Sequence, residues 1–188
     1  MRISKTLLVA TSTLAAMTIA LTGCTTVNVA PAPATSHQMT GMGDDTSMGD
    51  AVMFAQMMIP HHMQAITMAA YAKENAKNAD VVKLAKQIYT EQAAEIETMK
   101  TWLGDAKVPS NAMSNGMLSD TEMKALAAAK GADFDKLFLA GMKSHHEGAL
   151  TMAAAFQKTT DPELKKLVTS VLQVQTIEIA MIKLIQNK

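Results

Sequence analysis

The sequence predicts an all-α protein: a four-helix bundle made of two duplicated helical hairpins, with a short extra helix in the central connection. Three observations predict it. The apolar content of 48% is mostly alanine and methionine, whereas aromatic residues make up only 4% of the chain. From Asp50 onward, apolar residues recur three and four positions apart. The chain also repeats itself at an offset of 84 residues. Two amphipathic hairpins bury their apolar faces most simply in a bundle.

The N-terminus has the features of an export signal. Two basic residues precede an uncharged, largely apolar run over residues 7–21, which is too short to span a bilayer comfortably. The run ends in Leu21-Thr22-Gly23-Cys24, which resembles a bacterial lipobox. We therefore predict a lipoprotein signal peptide over residues 1–23, with Cys24 as the site of lipid attachment. A plain signal peptide cut nearby is the alternative.

The predicted location is periplasmic or otherwise extracytoplasmic, with the chain anchored to a membrane by its lipid. Thr25 rather than aspartate follows Cys24, which favours the outer membrane if the host has one. Residues 24–49 contain Met, Pro and Gly without periodicity, and we interpret them as a flexible tether. Soft ligands in segments with no packing role suggest accessory metal binding. These residues are His37, Met39, Met42 and Met48 in the tether, and Met113 and Met117 in the central loop. Compositional drift is the alternative.

The bundle domain is expected over residues 50–188, with hairpins at about 50–103 and 133–187. The first helix starts at Asp50 and is interrupted by Pro60, which removes one backbone hydrogen bond and should kink it. A break at residues 75–80 precedes the second helix. Ser119 and Glu122 form a capping-box pattern that opens the short helix. The third long helix is predicted over 133–158, and the fourth begins at Asp161-Pro162.

The repeat carries a pair of histidines in each copy. Residues 54–70 align without a gap on residues 138–154, which places His61-His62 on His145-His146. After one deletion the second helices also match, with Gln92 and Glu95 aligned on Gln175 and Glu178.

On a helical wheel, the first histidine of each pair lies at the centre of the apolar stripe. We expect His61 and His145 to be hydrogen-bonded by Glu95 and Glu178, because a buried carboxylate needs a partner. Such a contact would serve packing alone, or would orient a metal-binding imidazole from the outer coordination sphere.

The second histidine of each pair lies at the edge of the stripe, one helical turn from a methionine. These pairs are Met58–His62 and Met142–His146, and we interpret them as metal ligands. Thioether and imidazole groups suit Cu(I) and Ag(I), with Cu(II) possible through the histidines. A copper ion is the predicted cofactor, with no organic cofactor. Duplication of a purely structural motif would give the same pattern.

The pattern Phe-x6-His-His-x2-Ala-x2-Met-Ala, its second copy, and the Gln-x2-Glu-Ile of the paired helices resemble the DUF305 family. The resemblance covers roughly residues 50–185. It implies a ferritin-like, exported helical bundle. It also implies a copper-binding role for Met58, His61, His62, Met142, His145 and His146.

The predicted function is non-enzymatic copper sequestration or delivery in the cell envelope. One alternative is a structural or partner-binding lipoprotein domain whose His–Glu core pairs hold no metal. A ferritin-like di-iron oxidase is a further alternative, but no glutamate has a histidine three residues later, as such sites require. Nucleic acid is not an expected partner, because the 17 basic and 17 acidic residues form no basic patch interleaved with aromatics. The sequence predicts no particular oligomeric state.

Overall fold

The computed structural model describes residues 46–109 and 115–188, all of which belong to one compact unit. Over these residues the regular structure is helical, apart from a single bridge between Ala76 and Gly131. The helices are α1 (Thr46–Asn75), α2 (Ala79–Leu103), α3 (Asp120–Ala128), α4 (Gly131–Ala154) and α5 (Pro162–Gln186). The predicted all-α bundle with a short extra helix is therefore confirmed.

Side-chain caps define where three of the helices begin. Asn78 accepts a hydrogen bond from the backbone N–H of Asp80 at the start of α2. Ser119 and Glu122 form the predicted capping box of α3. Asp161 caps α5 ahead of Pro162. Each cap gives a partner to a backbone N–H that the first helical turn leaves free.

The long helices pack as two hairpins, α1 with α2 and α4 with α5, and the hairpins meet mainly through α1 and α4. Helices α1 and α4 cross in opposite directions. Phe54 near the start of α1 packs edge-on against Phe156 just beyond α4, at 5.2 Å between ring centroids, whereas Met68 lies beside Gly141. Within the described ranges, α5 is the one helix long and apolar enough to suit a membrane span, and here it packs against α4.

Two helix boundaries differ from the expectation. Helix α1 begins at Thr46 rather than Asp50, so Met48 lies in its first turn. Helix α4 ends at Ala154, and residues 155–158 form turns. Helix α1 contains Pro60 without ending there, and the kink stays a prediction. A proline removes only one backbone hydrogen bond, and the packing of α1 against both α2 and α4 supports the helix on either side of it.

The core consists of two apolar clusters. One contains Phe54, Met58, Met99 and Phe156, and the other contains Met68, Phe134, Phe138 and Met142, each with further aliphatic residues. On every long helix, a stretch of polar residues lies between the positions that enter one cluster and those that enter the other. We call these nine residues the polar layer: His61, His62, Glu91, Gln92, Glu95, His145, His146, Gln175 and Glu178.

Candidate metal site

The polar layer brings the predicted site histidines of both repeats into the centre of the bundle. His61, His62, His145 and His146 are all fully buried, with no exposed surface. Helices α1 and α4 supply the four histidines, and α2 and α5 supply the glutamines and glutamates. The duplicated hairpins therefore contribute matching halves of one layer.

Glu95 and Glu178 each contact the second histidine of a pair. The Nε2 atom of His62 lies 2.8 Å from Glu95 Oε2, and the Nε2 atom of His146 lies 2.8 Å from Glu178 Oε2. Our expectation that Glu95 and Glu178 would pair with the first histidines, His61 and His145, is therefore wrong. The two His–Glu contacts are nevertheless equivalent in the two repeats.

The first histidines face each other across the α1–α4 interface. The rings of His61 and His145 lie with their centroids 3.7 Å apart and their planes inclined at 34°. The Nε2 atom of His145 lies 3.0 Å from the backbone oxygen of His61, and that of His61 lies 3.1 Å from the backbone oxygen of Asn115.

His61 and His62 point in different directions because α1 has two neighbouring helices. The helical wheel located one apolar stripe, but α1 packs against α2 on one side and α4 on the other. The stripe centre at His61 faces α4, and His62, about 100° further round the helix, faces α2. The same geometry buries His62 and Met58, which we expected at the edge of the stripe. Periodicity gives the buried arc of a helix but does not say which partner covers each part of it.

The hydrogen bonds assign the tautomers of the histidines. A backbone carbonyl only accepts, so the Nε2 atoms of His61 and His145 must carry the proton. When Glu95 and Glu178 are ionised, they impose the same tautomer on His62 and His146. A neutral imidazole with its proton on Nε2 has a lone pair on Nδ1. All four Nδ1 atoms are buried and have no hydrogen-bond partner.

Burial keeps the imidazoles of His61, His145 and His146 neutral. Desolvation and, to a lesser extent, neighbouring His62 lower the pKa of His61 to about 3. Desolvation lowers the pKa of His146 to about 4, although the charges of Glu95 and Glu91 oppose the shift. The pKa of His145 is also well below its ordinary value, mainly through desolvation. Metals bind the neutral form of histidine, so these rings need not lose a proton at neutral pH to act as ligands.

The pKa values of two carboxyl groups in the polar layer are raised instead. Burial raises the pKa of Glu178 to about 7, with the charge of Glu95 among the causes that raise it. Burial also raises the pKa of Glu91, as does the charge of Glu178. The layer thus disfavours negative as well as positive charge, as desolvation requires.

The two predicted methionine ligands are fully buried on opposite sides of the layer. Met58 belongs to the cluster that contains Phe54, and Met142 to the cluster that contains Phe138. Within residues 46–109 and 115–188, no group of three or more His, Cys, Asp or Glu side chains is arranged to hold a metal ion. A metal site in this layer would therefore depend on thioethers in addition to imidazoles.

Of the other predicted ligands, two lie within the described residues and the rest do not. His37, Met39 and Met42, with Met113 and the lipidation site Cys24, lie outside the described residues. Met48 lies in the first turn of α1, and Met117 is half-buried in the central connection. These assignments stay predictions.

The structure adds three residues to which sequence analysis gave no role. Gln92 and Gln175 are 2% exposed, and neither amide has a hydrogen-bond partner. Their signal was a glutamine in the apolar stripe at matched positions of both repeats. Asn115 bonds His61 through its backbone oxygen, which no side-chain pattern could have indicated. Among the described residues, every buried side-chain nitrogen or oxygen that lacks a partner belongs to the polar layer.

The chain matches the model of a known protein family. The profile of the family described as "Domain of unknown function (DUF305)" matches residues 51–185, most of the chain. The chain belongs to the DUF305 family. None of the curated proteins matches this DUF305 protein.

Solved structures of DUF305 proteins share the fold. A DUF305 protein from Streptomyces coelicolor, named as a candidate secreted protein, is 28% identical, with a TM-score of 0.66 over 73% of this chain and 91% of that one. CopM in its Cu(I)-bound form is 35% identical, with a TM-score of 0.64 over 73% of this chain and 96% of that one. CopM in its Cu(II)-bound form is 37% identical, with a TM-score of 0.61 over the same shares. CopM has also been solved in an Ag-bound form.

Proposed function

We propose that this DUF305 protein is an exported, lipid-anchored copper-binding protein that sequesters or delivers copper in the cell envelope, without enzymatic activity. The observation that carries the proposal is the set of four buried imidazoles whose Nδ1 atoms have no hydrogen-bond partner. Each unpaired buried polar atom costs about 1–3 kcal/mol. A fold that retains so many of them in one layer is better explained by ligand binding than by stability.

The residues present suit a soft cation. Met58 and Met142 supply thioethers, and the histidines supply imidazoles, a donor set that favours Cu(I) and Ag(I). In the His62–Glu95 and His146–Glu178 pairs, an ionised carboxylate accepts from Nε2 and leaves Nδ1 for the metal. The ions bound in the CopM structures are of this class. The signal-like N-terminus and the naming of the S. coelicolor relative support an extracytoplasmic location.

The decisive experiment is a Cu(I) titration of the full chain, purified in detergent without oxygen, against a colorimetric Cu(I) chelator. We expect tight binding that the double substitution His62→Ala/His146→Ala reduces by at least tenfold. The double substitution Met58→Leu/Met142→Leu removes both sulfurs with little change in volume, and we expect it to weaken Cu(I) more than Cu(II). The control Met99→Leu, in the apolar cluster that contains Met58, should bind like the wild type.

A structural role of the layer is the competing function, with His–Glu pairs that specify how the hairpins dock. The Nε2 hydrogen bonds of all four histidines favour it, since buried polar contacts can select one packing arrangement. Absence of Cu(I) binding by the folded wild type would support this role and overturn the copper proposal. Equal binding by the wild type and the histidine double variant would move the site to the N-terminal methionines.

A further inference from the structure

The polar layer approaches solvent at the α2–α5 edge of the bundle. The four histidines have no exposed surface and Glu178 is 1% exposed, but the Glu95 side chain is 15% exposed and Glu91 is half-buried. Exposure therefore increases along the glutamates towards α2. Helices α2 and α5 also pack much more sparsely against each other than α1 does against α2. At this edge the hydroxyl of Ser170 lies 3.4 Å from Glu95 Oε1.

The central connection covers the layer beside His61. The backbone oxygen of Asn115 accepts from the His61 ring. The amide of Gln64 makes two hydrogen bonds with the backbone of Leu118, at 2.9 and 2.7 Å. The backbone at Gly116 approaches so close to Gly148 that a Cβ on either would collide with the other segment. An ion that reaches the histidines would find less obstruction at the α2–α5 edge.

Glu91 distinguishes that edge from the rest of the duplicated layer. Its position in the second repeat is occupied by Val174, so the duplication alone does not account for a carboxylate here. The carboxyl group of Glu91 contacts that of Glu178 and the side chain of Gln87. Further in, both amide atoms of Gln175 are buried without partners. Polar groups thus continue from the half-buried Glu91 through Glu178 to Gln175 in the interior.

We propose that the α2–α5 edge is the route by which a soft cation enters the polar layer, with Glu91 as the residue that captures the ion. The inference rests on the proposed metal-binding function. A carboxylate near the protein surface raises the local concentration of cations and speeds their association. Glu91 acts at the α2–α5 edge, whereas the imidazoles and thioethers hold the ion.

A competition between two chains measures capture directly. The full-length wild type and the full-length Glu91→Val variant, which takes the residue of the second repeat, are mixed in equal amounts with half an equivalent of silver nitrate in chloride-free buffer. Native mass spectrometry separates the two chains by mass and counts the silver on each, within seconds of mixing and again after a day. The matched control is Glu97→Val, because Glu97 lies on the same helix with its side chain 72% exposed.

We expect the wild type to capture about three- to tenfold more silver than Glu91→Val at the first time point. This excess should decline as the ion redistributes, and it should be smaller in about 0.1 M than in about 0.01 M ammonium acetate because salt screens the charge. The Glu97→Val variant should share the silver equally from the start.

The other outcomes each decide something different. If the wild type and Glu91→Val hold equal amounts of silver at the first time point, the proposed entrance is wrong, whether or not a difference develops later. A difference that develops only later would show that Glu91 stabilises the bound ion instead. If no folded chain takes up silver, the proposed metal-binding function fails along with the entrance. Circular dichroism of each variant establishes that it is folded.

Discussion

At the scale of single residues, two glycines allow the central connection to reach the buried histidines. Gly116 has a φ of 81°, a conformation that residues with a side chain rarely adopt. A Cβ on Gly148, within α4, would lie 1.8 Å from the backbone oxygen of Asn115. That oxygen is the acceptor for the His61 ring. The absence of a side chain at these two positions therefore helps to set the tautomer of a histidine.

We predict that Gly148→Ala destabilises the domain by about 1–3 kcal/mol, because overpacking outweighs the roughly 1 kcal/mol that alanine gains in a helix. Urea unfolding followed by circular dichroism measures the change. The control is Gly49→Ala in the first turn of α1, where a Cβ would meet nothing within 4 Å, and where the stability should stay constant or rise. A Gly148→Ala variant as stable as the wild type would contradict the tight approach.

At the scale of secondary-structure elements, the turn between α1 and α2 is held by a side chain from α4. Asp135 accepts hydrogen bonds from the backbone N–H groups of Lys77 and Asn78, at 3.1 and 2.9 Å. These donors lie just before α2, where a helix lacks partners for its first N–H groups. One carboxylate thereby connects the first hairpin to the second.

The substitution Asp135→Ala should lower the free energy of unfolding by about 2–3 kcal/mol, since it removes two hydrogen bonds to a charged acceptor. Asp135→Asn keeps an acceptor oxygen and should lower the free energy of unfolding by less. Denaturant unfolding ranks the three proteins. The cap would be refuted if the alanine and asparagine variants were equally stable.

Helix positions were predictable because their signals are local. The capping box at Ser119–Glu122 and the Asp161-Pro162 start of α5 involve neighbouring residues only. The pairing of His62 rather than His61 with Glu95 was not predictable, because it depends on which helix covers each side of α1. The backbone contact from Asn115 depends on the path of a long connection, to which periodicity gives no access.

At the scale of the whole molecule, the polar layer separates two apolar clusters that would otherwise form one core. Its unpaired atoms reduce the stability of the metal-free bundle. An ion that binds the folded state but not the unfolded chain shifts the unfolding equilibrium in favour of the fold.

We therefore predict that Cu(I) raises the melting temperature of the full chain. At a free concentration a hundredfold above the dissociation constant, the gain is about 2.7 kcal/mol, or roughly 10 °C for a domain of this size. Differential scanning calorimetry without oxygen measures it. Mg²⁺ should have no effect, because it prefers oxygen ligands. If Cu(I) leaves the melting temperature of the His62→Ala/His146→Ala variant unchanged, the effect comes from the polar layer. If Cu(I) raises it as much as in the wild type, the polar layer is excluded as the source.

The contact between His61 and His145 joins identical positions of the two repeats, 84 residues apart. Such self-matching contacts are the mark of a symmetric homodimer, in which each subunit presents the same surface to the other. The chain is thus the covalent counterpart of a two-fold dimer of hairpins. Fusion frees each half to change alone: Pro60 faces Ser144 in the alignment, and Glu91 faces Val174. A true dimer would have to carry every such substitution twice, whereas this molecule can specialise one side of its centre and leave the other as it was.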